Sequence, residues 1–266
     1  MGKILQSIKY RMTLYITYLR TNLKELRSYD IDFFVGVISA LVSYAAELFA
    51  LKCIFGFVYD INGWSFEEVL LIYGLNLTGY SLWACFFINT ITLPFYIRRG
   101  EFDRFLLRPL NPITQIMMDG FDEDAWGELI LGCLILGYAW KRLELSAGTL
   151  VLMGILAVAG CFIYAGISIL LSGISFFTIS QANVANMTSE IKTLAQYPMS
   201  IYPKWIQFIF TFIFPVSFIS FIPAGALLGR NSGGVMIMSV VIAFLFYRVS
   251  VALWNQMERK YESTGN

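Results

Sequence analysis

The stretch YIRRGEFDRFLLRPLNPITQ, residues 96–115, sets six charged side chains between two of the most apolar stretches of the chain: Arg98, Arg99, Glu101, Asp103, Arg104 and Arg108. Gly100 breaks the preceding helix after Arg98 and Arg99, residues 101–108 can form two further turns, and Pro109 and Pro112 stop those turns. Phe102, Phe105 and Leu106 fall at i, i+3 and i+4 and share a face, while Glu101, Asp103, Arg104 and Arg108 stay polar. The chemistry this pattern serves is recognition. An apolar face needs a groove, on its own chain or on a partner, and a loop that merely joined two helices would not require it.

Catalysis finds no such pattern. The chain has no histidine, which removes the usual metal ligand, general base and proton relay together. No Gly-x-x-x-x-Gly-Lys-Ser/Thr loop and no Gly-x-Ser-x-Gly elbow occurs. Asp122, Glu123 and Asp124 cluster without other ligand spacing and read as a membrane-flanking helix start, favoured by the helix dipole. The expectation is a chain without catalytic residues, metal or bound cofactor, and without a nucleic-acid partner.

Charge inside the apolar runs is scarce and therefore informative. Glu47 is the deep one. Lys52, five residues on, stands about 140° away round a helix and is a poor partner for it. Glu47 would attract a cationic substrate or coupling ion, or make an interhelical hydrogen bond. Asn76, Tyr80, Trp83 and Phe87 follow i, i+4, i+7 and i+11 on one face. That stripe either lines a cavity for a flat or cationic amphiphile or packs against another helix. Ser168, Ser172 and Ser175 sit at small-residue spacing and read as a helix interface.

The elements that must position these residues are membrane helices. Of the 266 residues, 58% are hydrophobic and only 14% charged, against about a quarter charged in soluble domains. Apolar runs suggest an all-α polytopic protein with six spans: 33–59, 69–96, 125–140, 150–179, 205–228 and 235–256. The third, carrying Glu128, is the weakest. Six spans put most of the nineteen basic residues on one side, among them Lys192 and Lys204, so that both termini and the 97–115 loop are expected in the cytoplasm. Residues 1–30 repeat apolar positions at steps of three and four with Lys and Arg between them, an amphipathic helix suited to the headgroup plane. No removable signal peptide is expected. The four cysteines lie in apolar runs and read as small hydrophobes.

RRGEFDRFLLRPLNPITQ resembles the cytoplasmic loop of ABC-2 type transporter permeases, in particular a six-span subfamily of them. The likeness continues through DGFDEDAWGELILGCLILGYAW and YPMSIYPKWIQFIFTFIFPVSFISFIPAGALLG, with Tyr197-Pro198, Tyr202-Pro203, Pro215 and Pro223, and ends in WNQMERKYESTGN. It covers essentially the whole chain.

The resemblance implies a connecting helix over 1–30 and a transmembrane domain over 31–266. The coupling helix would lie in 97–115 and dock on a separate ATP-binding subunit that carries ATP and Mg. There Gly100 frees the helix, Phe102, Phe105 and Leu106 fill the partner's groove, and Arg98, Arg99, Glu101, Asp103, Arg104, Arg108 and Pro109 complete the contact. The resemblance further implies a dimer of ATPases, a second permease (a copy or a related chain), the plasma (inner) membrane and the outward direction of transport. The aromatic Tyr80, Trp83 and Phe87 point to a hydrophobic or cationic amphiphile as the cargo. Pro215 and Pro223 would bend the fifth span near an external gate. Two other readings are an ion-coupled secondary transporter, which would want an inverted repeat and paired ionisable groups at mid-membrane, and a membrane scaffold that holds a soluble partner.

Overall fold

The computed structural model describes residues 30–108, 110–120, 122, 125–177 and 183–261. The helix expected over 1–30 thus lies, but for Asp30, outside the described residues, as do Pro109, Glu123, Asp124 and the tail beyond Tyr261.

Among the described residues the regular elements are helices. α1 runs Asp30–Phe57 and α2 Phe66–Phe87. Ser65 starts α2 with a capping box, its hydroxyl accepting from the Glu68 amide at 3.4 Å and the Glu68 carboxylate from its own amide at 2.8 Å. Past Phe87 the chain tightens into a 3-10 turn, Ile88–Thr92, where the Thr90 and Thr92 hydroxyls donate back to the Phe87 and Asn89 carbonyls. Pro94 at its N-terminus then opens α3, Leu93–Arg98. α4 (Asp103–Leu106), α5 (Pro112–Met118) and α6 (Ala125–Arg142) follow. Next come α7 (Ala147–Gly173) with a 3-10 end at Ile174–Phe176, and α8 (Val184–Ala195). α9 (Lys204–Phe208) continues as a π turn over Ile209–Ile213, and α10 (Phe221–Leu227) and α11 (Gly234–Glu258) complete the chain.

Four stretches are long and apolar enough to cross a membrane: Ile38–Phe57, Phe66–Arg98, Ala147–Phe176 and Gly234–Glu258. The chain is a multi-pass, all-α membrane protein. α6 is not among the four because its 18 residues carry Glu128, Lys141 and Arg142.

The helices are close because small residues let them be. A Cβ on Gly132 of α6 would stand 2.6 Å from the Thr78 hydroxyl and 3.1 Å from its backbone nitrogen, so α2 and α6 touch backbone to backbone. Gly166 of α7 faces Phe246 and Ser250, and Gly173 faces Trp254 and Met257, so α7 and α11 run parallel. Trp83 Nε1 donates to Ser168 Oγ at 3.0 Å, fixing α2 beside α7. One end of the bundle, here the proximal end, carries the 97–115 segment. The opposite, distal end carries the 58–65 loop.

The fifth expected span, 205–228, is corrected. From α7 the chain climbs through α8, where Asn76 in mid-α2 donates to the Lys192 carbonyl at 2.9 Å, and reaches the distal end, where Asn62 donates to the Ser200 carbonyl at 2.9 Å. Residues 204–227 then bend by 75°, and past the bend the Phe221 ring lies 5.3 Å from that of Trp64 in the distal loop. Arg230 bonds Glu68 at the distal start of α2 at 2.6 Å. Both ends of 204–227 lie at the distal end, so the segment is a hairpin, its first arm running along the outside of the bundle with Trp205, Phe208 and Phe212 exposed. Pro215 supplies the turn, having no amide to continue a helix, and the Val216 amide closes on the Phe214 carbonyl at 2.6 Å. The same path lifts Lys192 out of the proximal loop to which its charge assigned it, and moves Lys204 to the distal end.

Candidate functional site

At the proximal end, Gly100 adopts φ +67°, a left-handed turn that a side chain would disfavour. The Glu101 and Phe102 amides then both close on the Tyr96 carbonyl, at 2.9 and 3.2 Å. This turn folds α4 back under the bundle. Phe102 is 0% exposed. Its ring meets Tyr261 at 4.9 Å, Phe176 at 5.2 Å and Trp254 at 6.4 Å, joining α4 to the ends of α7 and α11. Phe105 packs on Tyr96, centroids 5.1 Å apart. The Gln115 amide donates to the Phe105 and Leu110 carbonyls, at 2.9 and 2.8 Å, and ties α4 to α5.

Charge locks the outside of this turn. Arg104 lies 3.5 Å from Asp119 and over the Tyr96 and Phe105 rings, and the Tyr96 hydroxyl donates to Asp119 at 3.0 Å. Arg99 sits over the Phe95 ring at 3.9 Å and 3.8 Å from Glu101. The expectation that Phe102 and Phe105 reach a partner's groove is therefore corrected: both rings fill the chain's own groove. α4 is a single turn, and the inward side of that turn has no room for a partner. The residues it presents outward are Leu106, 45% exposed, and Leu107, 88% exposed, with Arg98, Arg99 and Arg108 exposed around them. Asp103 is half-buried.

A second site lies within the bundle. Tyr44 and Glu47 share a face of α1. The Tyr44 hydroxyl donates to Glu128 of α6 at 2.5 Å and accepts from Lys192 Nζ at 2.7 Å, while the Tyr73 hydroxyl donates to Glu47 at 2.8 Å. The Lys192 ammonium also lies over the Tyr44 and Tyr80 rings, at 4.4 and 4.8 Å. Asn76 holds the Lys192 backbone, and its own carbonyl oxygen accepts from the Tyr164 hydroxyl at 2.6 Å.

The stripe predicted on α2 thus divides. Asn76 and Tyr80 border this polar group. Trp83 and Phe87 pack against α7 and α11, Phe87 lying 6.2 Å from both Phe162 and Tyr247. Pro215 forms the hairpin turn, and Pro223 sits buried in the first turn of α10. Sequence reasoning names none of Tyr44, Tyr73, Glu128 and Lys192 as a site residue: Glu128 enters only as the charge that weakens a span and Lys192 only as a loop charge. The usable signal was Tyr44, one helical turn before Glu47.

No curated protein and no solved structure matches the chain. The family described as ABC-2 family transporter protein matches residues 41–265, nearly the whole length over which the helices, the hairpin and the proximal turn are built. The chain belongs to the ABC-2 family of transporter proteins.

Proposed function

We propose that this chain is the permease subunit of an ATP-driven exporter, forming half of a transmembrane path and taking its energy from a separate ABC ATPase that binds ATP and Mg. The observation that carries the reading is the Leu106–Leu107 pair, exposed on a one-turn helix that the aromatic cluster of Phe102, Phe176, Trp254 and Tyr261 holds fast. A rigidly mounted apolar tip ringed by Arg98, Arg99 and Arg108 suits docking on a soluble partner. Movement of that partner would reach α7 and α11 directly.

In this reading the proximal end is cytoplasmic, since it gathers the arginines of the 97–115 segment with Arg259 and Lys260. The chain crosses six times, through α1, α2, α6, α7, residues 184–201 and α11, with both termini in the cytoplasm, residues 1–30 as a connecting helix and the plasma membrane as location. A second permease, a copy or a relative, completes the path. Glu47 supports this: it is exposed in mid-span, and an ionised carboxylate facing lipid costs about 3 kcal/mol or more. The uncovered face of α1 therefore belongs to a wet path or a partner. The cargo is a hydrophobic or cationic amphiphile, and the chain itself does no catalysis.

The Lys192–Tyr44–Glu128 chain favours a second reading, the ion-coupled transporter, because it supplies paired ionisable groups inside the membrane. One experiment separates the two. The detergent-solubilised protein is purified from its native membranes and every co-purifying chain identified by mass spectrometry, beside a Leu106→Asp/Leu107→Asp variant. An ABC ATPase held by the intact protein and lost from the variant supports the permease. If the intact protein brings down no ATPase, the secondary transporter takes its place.

A further inference from the structure

We propose that Glu47 is the counter-ion of a binding site for amphiphiles bearing a single positive charge, and that Lys192 and Glu128 neutralise each other beside it. The proposal rests on the reading of the chain as a permease and names the class of its cargo.

Three ionisable side chains meet around Tyr44. Its phenol bridges two of them, donating to Glu128 at 2.5 Å and accepting from Lys192 at 2.7 Å, so ammonium and carboxylate share one hydroxyl. Lys192 is held there from both ends. Asn76 fixes its backbone carbonyl, and the Tyr44 and Tyr80 rings cover its charge. Two opposite charges joined in this way leave no net charge for a ligand.

Glu47 is left over. One of its oxygens accepts from Tyr73 at 2.8 Å. The side chain is otherwise open on the uncovered face of α1, in the middle of the span Ile38–Phe57. Among the described residues no basic group is bonded to it: Lys192, whose charge acts on it, is bonded to Tyr44 instead, and Lys52 points elsewhere round the helix. A carboxylate at that depth is stabilised by a cation.

The surroundings define the cation further. On its own face of α1 the exposed neighbours of Glu47 are Ser43, Ala50 and Ile54, while the Tyr44 and Tyr73 rings lie buried behind it. One carboxylate on an otherwise weakly polar, membrane-facing helix surface suits a weakly hydrated cation carried on an apolar body. A second positive charge would meet Lys192, and an anion would meet Glu47. The site selects a single positive charge on an apolar body.

The test uses the purified complex in lipid nanodiscs and two ions of the same shape and opposite charge, tetraphenylphosphonium and tetraphenylborate, with empty nanodiscs as the partition baseline. Tetraphenylphosphonium is expected to bind saturably. Glu47→Gln, whose amide oxygen can still accept from Tyr73, weakens it about ten-fold, the factor one charged contact of ordinary strength makes. Glu47→Asp restores most of that loss, which an unfolded variant would not allow. Tetraphenylborate gains no affinity from Lys192. Phosphonium binding unchanged in Glu47→Gln, borate binding lost in Lys192→Met, or saturable binding of neither ion overturns the proposal. ATPase subunits in the same preparation report separately on the permease reading, so a failed site and a failed function give different results.

Discussion

The ring of Phe102 stands edge-on to that of Tyr261, centroids 4.9 Å apart and planes at 78°. One residue follows the left-handed turn at Gly100 and the other follows the last helix, so the proximal turn is fastened to the end of α11 as well as to α3, from which it emerges. Phe176 completes the join to α7 at 5.2 Å. A displacement applied at Leu107 would therefore move three helix ends together.

Phe102→Ala removes the central ring of this join. The loss of a fully buried phenylalanine costs about 3–5 kcal/mol, and the thermal midpoint of the purified protein is expected to fall clearly. At temperatures where the variant remains folded, ATP turnover by the complex should persist while transport falls, because the docking tip survives and its mounting does not. Leu107→Asp should do the reverse, keeping the midpoint and losing the partner. Equal midpoints for wild type and Phe102→Ala would show that the cluster does not hold the turn.

Gly132→Ala is expected to destabilise by about 1–3 kcal/mol through overpacking. The new methyl would fall 2.6 Å from the Thr78 hydroxyl, which is itself held on the Gly74 carbonyl at 2.8 Å and cannot swing freely. Gly137→Ala, five residues along the same helix with nothing within 4 Å of its Cβ, is the control and should leave the midpoint unchanged. Thermal unfolding in detergent of the two variants side by side decides it.

The sequence was legible where one helix answers to one apolar run. α1, α2, α6, α7 and α11 lie where hydropathy placed them, and Gly100 breaks the chain as its type suggests. It misled where two short pieces share a run. Residues 205–228 are as apolar as a span, and only the bonds from Asn62 to Ser200 and from Arg230 to Glu68 reveal that the segment returns to where it began. Lys192 was assigned to a loop because charge normally marks a loop, whereas here Tyr44 and Glu128, from helices far off in sequence, make burial tolerable. Phe102 and Phe105 form an inward apolar face, but Leu106, expected beside them, turns outward with Leu107, and periodicity does not say whose groove a face fills.

Arg230 fastens the hairpin at the distal end. Its guanidinium donates to the Gly63 carbonyl at 2.8 Å and to both Glu68 oxygens at 2.6 and 2.7 Å, and lies 4.2 Å over the Trp64 ring. Charged hydrogen bonds of this kind contribute about 1.5–3 kcal/mol. Arg230→Ala should speed amide exchange in 60–66 and 221–231 by about ten-fold or more, leaving 93–119 as in the wild type. Glu68→Gln is expected to act more mildly, since its amide oxygen can still accept from Ser65. Uniform exchange throughout the chain would mean that Arg230 is decoration on a hairpin held by other contacts.

The hairpin itself predicts a labelling pattern that a fifth crossing at 205–228 would not give. Residues 204–213 descend for ten residues, about 15 Å at helical rise, half of a hydrocarbon core of about 30 Å. The chain then bends by 75° at Pro215, and α10 begins at Phe221, whose ring packs on Trp64 of the distal loop. Cys53 and Cys133 are exposed and Cys85 and Cys161 buried, so all four are replaced first. Single cysteines then go in at Asn62, Lys204, Ser232 and Leu107. Asn62→Cys, Lys204→Cys and Ser232→Cys should all react with a membrane-impermeant maleimide on intact cells, and Leu107→Cys only after permeabilisation. A crossing between 205 and 228 would put Lys204 with Leu107 and leave Ser232 with Asn62. Protection of Lys204→Cys on intact cells would therefore remove the hairpin, and with it the placement of Lys192 within the membrane.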